Sequence, residues 1–131
     1  MTLPDGSPLP ANLIEKRLQT KPEQAHAYGK LTSDLNPIHL DADFAAATPF
    51  GKPIIHGTMG LGLLLTALEE TFGGEAPAGD LNVRFAKPVH VGATIRAGGH
   101  LTDSGSGTYA VFVETGDGTR AVEGTFTLSG E

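Results

Sequence analysis

A chain of 131 residues has the length of one domain, able to bury roughly two thirds of the surface its unfolded form exposes. With 39% hydrophobic and 18% charged residues it is apolar enough to collapse and too weakly charged to stay disordered. Nine Lys+Arg against fifteen Asp+Glu give a net charge of −6, which excludes broad electrostatic binding to nucleic acid or acidic lipid, and the absence of cysteine excludes disulfides, thiolate-bound metal and a cysteine nucleophile.

In chain order, residues 1–10 carry three prolines and an Asp5-Gly6 turn signal, so an extended or mobile lead-in is expected. It has no basic stretch leading into an apolar core, as a secretory signal would. A strand is expected around Leu13 to Gln19. In Thr20-Lys21-Pro22-Glu23 the threonine suits an N-cap, the proline a first turn and the glutamate a capping box, which predicts a helix from Pro22 to Lys30. Thr32 to Pro37 is a cluster of turn formers, after which Asp41 offers a cap for a short helix over Ala42 to Ala47. The longest helical pattern runs from His56 to Phe72, closed by Gly73-Gly74, with Leu61, Leu64, Leu65 and Leu68 as one apolar stripe. A buried central helix follows from it. The most apolar run, Ile54 to Leu68, is too short for a membrane span, and a soluble cytoplasmic protein is expected.

Beyond Gly79 the period becomes two. Leu81, Val83 and Phe85 mark one strand ending near Pro88. Ile95, Ala97 and Leu101 mark a second, bent or bulged near Gly98-Gly99. Tyr109, Val111 and Val113 mark a third, and Val122, Phe126 and Leu128 a fourth behind the hairpin signal Thr115-Gly116-Asp117-Gly118. The second half reads as an antiparallel meander, and the whole as a single α+β domain over residues 1–131 with a sheet laid against one buried helix. No internal repeat is present.

Two segments carry candidate chemistry. Thr32-Ser33-Asp34-Leu35-Asn36-Pro37-Ile38-His39 places a carboxylate and an imidazole five positions apart around an Asn-Pro turn, which can fold both toward one point. Such a pair suits acid/base work near neutral pH, although the same residues also serve an ordinary turn. Ile54-Ile55-His56-Gly57-Thr58 places Gly57 at the start of the long helix, where unpaired N–H groups and the dipole favour a developing oxyanion; close helix packing is the other use of such a glycine.

Taken together, Ala27-Tyr28, Thr32 through His39, Pro53-Ile54-Ile55-His56-Gly57 and Leu81 through Val89 resemble the MaoC-type, R-specific enoyl-CoA hydratases over roughly residues 20–105. Asp-x-Asn-Pro-x-His is the specific part of the resemblance. It implies a hot-dog fold, a long helix wrapped by a curved antiparallel sheet. It also implies that Asp34 and His39 activate a water for addition across a trans-2-enoyl thioester, and that Gly57 donates its amide to the thioester oxygen. Asn36 would fix the turn and hydrogen-bond in the site, His56 would be supporting structure, and the product would be a (3R)-3-hydroxyacyl thioester. The family pattern has glycine where Ser33 stands, a departure that bears on the local backbone and on activity, because a left-handed position strains a residue with a Cβ.

Lys52, Arg84 and Lys87 are the basic residues nearest these motifs and the candidates for CoA phosphate contacts. His26, His90 and His100 lack partners at metal-ligand spacing, so neither metal nor cofactor is expected. A homodimer with the acyl pocket near its interface is implied by the resemblance and suits the open strand edges of such a sheet. The competing readings are a hot-dog thioesterase, which commonly carries a carboxylate on the central helix, and a non-catalytic acyl-thioester binding subunit. The first three turns after Gly57 hold no acid, and Glu69 and Glu70 come only at the far end.

Overall fold

The computed structural model describes residues 1–73 and 78–129. The elements are β1 (Lys16–Gln19), α1 (Pro22–Thr32), α2 (Pro37–Leu40), α3 (Ala42–Ala46), α4 (Gly57–Thr71), β2 (Gly79–Phe85), β3 (Thr94–Asp103), β4 (Thr108–Thr115) and β5 (Arg120–Leu128). Gly73, just past α4, takes a left-handed φ of 95°; Gly74 lies outside the described residues.

The start of α1 differs from expectation. Thr20 is not its cap. Its buried hydroxyl instead donates to the Ala93 carbonyl at 2.6 Å and accepts from the Gly92 N–H at 2.9 Å, tying the end of β1 to the turn before β3. Lys21 occupies the cap position, and its N–H donates to Gln24 Oε1 at 3.1 Å. The Asp41 cap is present as expected, accepting from the N–H groups of Asp43 and Phe44 at 2.9 and 3.1 Å. The single turn of α2 was not expected. Its signal was Asn36-Pro37, a cap residue followed by proline at the first helical position.

All strand pairs are antiparallel, in the order β1-β3-β4-β5-β2. Only β3, β4 and β5 form a meander. The strand β2, expected beside β3, pairs with β5 at the opposite edge, because residues 86–93 cross the sheet instead of turning tightly. That crossing is held by Ile55 N–H donating to Val89 O and Val91 N–H to Pro53 O, both at 2.8 Å. No bulge interrupts β3 at Gly98-Gly99, which keep regular partners in Phe112 and Val111; the register shift falls between Leu101 and Asp103. Gly99 serves close approach instead, since a Cβ there would lie 2.6 Å from the Ala110 carbonyl oxygen.

Against the concave face, α4 packs on β1, β3 and β4. Leu64, Ala67 and Leu68 meet Ile95, Ala97, Tyr109, Val111, Val113, Val122 and Phe126 in the core. The expected leucine stripe splits: Leu64 and Leu68 are buried, but Leu65 is 42% exposed, because 100° per residue turns it to the other side of the helix. The helix is therefore buried on one side only within one chain. The lead-in is fastened but not extended: it folds back at the Asp5-Gly6 turn, where Leu3 N–H donates to Ser7 O at 2.9 Å and Thr2 bridges Pro8. Beyond it the Tyr109 hydroxyl, in the core, donates to the Pro10 carbonyl at 2.6 Å, while Leu13 N–H donates to Gly99 O at 2.9 Å. Burial pushes the Tyr109 phenol up, which keeps it a donor. Among the described residues no helix is long and apolar enough to cross a membrane.

Candidate active site

The site begins where α1 ends. Ser33 takes the left-handed conformation, φ 60° and ψ 28°, and turns the chain so that Asp34 N–H donates to Gly29 O at 2.9 Å. Gly29 permits this return, because a Cβ there would sit 2.8 Å from the Asp34 carbonyl oxygen. Holding a serine in this conformation costs about 1–2 kcal/mol. Ser33→Gly is therefore expected to raise stability by about 0.5–1 kcal/mol net of the freer unfolded chain, read as a melting temperature a few degrees higher with kcat little changed.

Asn36 then closes the turn. Its Oδ1 accepts from Ile38 N–H at 3.1 Å, starting α2, and its own N–H lies 3.4 Å from Asp34 Oδ1. Its side chain is thus engaged as a cap. On α2, His39 turns inward: Nδ1–H donates to the Ile54 carbonyl at 2.7 Å, which leaves Nε2 as the free nitrogen, 3.8 Å from Asp34 Oδ2. That separation is longer than a hydrogen bond and leaves both groups free to share a small molecule such as water. His39 is 12% exposed and Asp34 49%. The buried ring of His56 stacks on His39 with centroids 4.0 Å apart, and its Nε2–H donates to the Asp34 carbonyl at 2.9 Å.

Gly57 is the first residue of α4, so its N–H has no carbonyl one turn back to accept it. Beside it opens a cavity of about 290 Å³ with His39, Gly57, Phe50 and Lys87 among its lining and Gly60, Val113, Ala121 and Val122 contributing apolar wall. The structure thus brings Asp34, Asn36, His39 and Gly57 to one end of α4. Of the cationic candidates, Lys87 lines the cavity, while Lys52 is exposed on the loop between the lining residues Phe50 and Ile54. Arg84 pairs with Glu123 across the β2–β5 ladder, Nε to Oε1 at 3.1 Å, and holds that carboxyl below its ordinary range. Arg84 and Lys87 also share an open groove of about 570 Å³ with Arg120, which sequence reasoning missed because it lies far from the motifs along the chain.

Asp34, His39 and His56 each offer a ligand atom within 4.8 Å of the others, and so are the described residues that could gather around a cation. Sequence spacing overlooked this cluster, since it weighed His26, His90 and His100. Two of its four ring nitrogens are committed to backbone carbonyls, which leaves a cation His39 Nε2, His56 Nδ1 and the Asp34 carboxylate.

An antiparallel sheet laid against a long helix, with an Asp-x-Asn-Pro-x-His loop at the helix N-terminus, is the arrangement of a hot-dog protein. The chain belongs to the MaoC-like family: residues 10–123 match the family described as "MaoC like domain". The 3-hydroxyacyl-thioester dehydratase Z of Mycobacterium tuberculosis is 36% identical over 101 residues, 71% of this chain and 67% of that protein. The peroxisomal hydratase-dehydrogenase-epimerase of Saccharomyces cerevisiae is 39% identical over 83 residues, 63% of this chain; the match takes in only 9% of that much longer protein. Among solved structures, the (R)-hydratase from A. caviae involved in PHA biosynthesis superposes with a TM-score of 0.75 at 28% identity, covering 89% of this chain and 94% of that one.

Proposed function

We propose that the protein hydrates a trans-2-enoyl thioester reversibly to a (3R)-3-hydroxyacyl thioester. The observation that carries this reading is the free His39 Nε2 facing the Asp34 carboxylate at 3.8 Å, on the rim of a largely apolar cavity shared with Gly57. A water held between the two side chains gives up a proton as its oxygen bonds to the β-carbon. The alkene electron pair moves toward the thioester oxygen, where the Gly57 N–H receives the charge, and the α-carbon takes a proton from the same pair. Water is added and nothing else is consumed, so these steps call for no cofactor.

Ser33 bears on the non-catalytic alternative. It holds the left-handed geometry that glycine would take, so the loop keeps its shape at an energetic cost. Hydrolysis of the thioester has less support: along α4, Glu70 is spent on Lys16 at 3.0 Å, at the far end from Gly57. The test is conversion of crotonyl-CoA by the purified protein, followed by loss of enoyl-thioester absorbance and assignment of the hydroxyl configuration. A 3R product supports the reading; release of free CoA thiol faster than hydration overturns it.

For the carrier end of the substrate we assign Lys87, Lys52 and Arg84, with Arg120 added by its place in the groove. Lys87→Glu is expected to raise KM for CoA thioesters about 3–10-fold with kcat nearly unchanged, because it reverses a charge beside the cavity without touching the reacting atoms. An unchanged KM removes Lys87 from the assignment. A homodimer also fits, since the outer edge of β2 is free and Leu65, Phe85 and Leu35 are exposed on the described surface. Light scattering of the eluting protein decides between one copy and two.

A further inference from the structure

We propose that His56 is a positioning residue for the Asp34–His39 pair, holding the Asp34 backbone with one ring nitrogen and the His39 ring with its face. Its kinetic consequence rests on the hydration reading; its structural content does not. The Asp34 peptide is gripped on both sides, its N–H donating to Gly29 O and its carbonyl accepting from His56 Nε2–H, each at 2.9 Å. Among the described residues, its half-exposed carboxylate has only a 3.4 Å contact with Asn36 N–H and the 3.8 Å approach of His39. The direction of the carboxylate is therefore set through the backbone, and His56 supplies half of that hold.

The other half of the role is the stack. Tyr28, His56 and His39 form a column, with centroids 4.9 and 4.0 Å apart, and the Tyr28 hydroxyl is tied to that of Thr58 in the first turn of α4. The hydrogen bond from His39 to Ile54 fixes one nitrogen but permits the ring to swing about it; the face of His56 removes that freedom. A phenylalanine would serve the stack and a glutamine the hydrogen bond, but only a ring with a donor serves both. His56 does so at a cost, because its Nδ1 is buried with no hydrogen-bond partner among the described residues. A position selected for packing alone would not carry that orphaned atom.

The experiment uses His56→Phe, which keeps the stack and loses the donor, and His56→Gln, which keeps a donor of similar reach and loses the ring. With crotonyl-CoA, each is expected to lower kcat by about ten-fold or more while KM stays within about two-fold. His56→Phe is expected to melt no lower than the wild type, which separates the loss from unfolding. In two-bond 1H–15N spectra the His39 ring should give one sharp Nδ1–H tautomer in the wild type and in His56→Phe, and a broadened or mixed signal in His56→Gln. Wild-type kcat in both variants, or kcat losses that follow melting temperature, would overturn the proposal. Should the wild-type protein hydrate no enoyl thioester, the functional reading fails by itself, and a His39 signal unchanged in His56→Gln then overturns the positioning role.

Discussion

Asp34→Asn and His39→Ala are each expected to lower kcat by about 10²–10⁴-fold with KM little changed, the scale for loss of a positioned acid/base group. Neither change should unfold the protein. Asp34 is half exposed, and its structural bonds are made by its backbone, while His39 contributes one side-chain hydrogen bond to Ile54. Because one water must touch both groups at once, the double variant is expected to be about as slow as the worse single one. Steady-state kinetics of the three variants with crotonyl-CoA, beside their melting curves, check this. Effects that multiply in the double variant would mean that the two side chains act in separate steps.

The second large effect is expected at Gly57, where a single N–H can be removed without opposing the helix. Proline is tolerated at the first helical position, and His56 already has φ −61° and ψ 131°, a conformation suited to preceding proline. Gly57→Pro is expected to lower kcat by about 10²–10³-fold, the usual loss for one oxyanion donor. Gly57→Ala is the control for bulk: it keeps the N–H and adds a Cβ 3.4 Å from the Phe85 ring, a contact that side chain can accommodate. Alanine that retains most activity beside proline that retains almost none would isolate the amide. Equal losses would point to crowding of the cavity.

The site loop was legible in the sequence to the extent that its chemistry is local. Asp34, Asn36 and His39 lie within six residues, and an Asn-Pro turn has few ways to fold. The helix α4 and the strands announced themselves by period, since one buried face imposes 3.6 or 2 on the apolar positions. What could not be read were facts that need a partner distant in the chain. Thr20 has the composition of a cap, but its hydroxyl is claimed by Gly92 and Ala93, more than 70 residues away. The pairing of β2 with β5 depends on where residues 86–93 cross, and no local pattern encodes that path. His56 likewise reads as the start of the long helix and, by the resemblance, as supporting structure, and its contacts with His39 and Asp34 appear only once the loop folds back over it.

The hydrogen bond between Tyr109 and Pro10 also orders events in time. The Pro10 carbonyl lies 99 residues ahead in the chain of the donor it must meet, and among the described residues β1 finds its strand neighbour only in β3, with Lys16 opposite Ala97. Among the described residues, the segment from Pro10 to Gln19 takes its backbone partners from far along the chain, chiefly β3, so it waits until the β3–β4 hairpin exists. Contacts of such long range are slow to form because the chain between them must first be ordered. Refolding of this chain is accordingly expected to begin in the β3–β4–β5 meander and to end with the docking of residues 10–19.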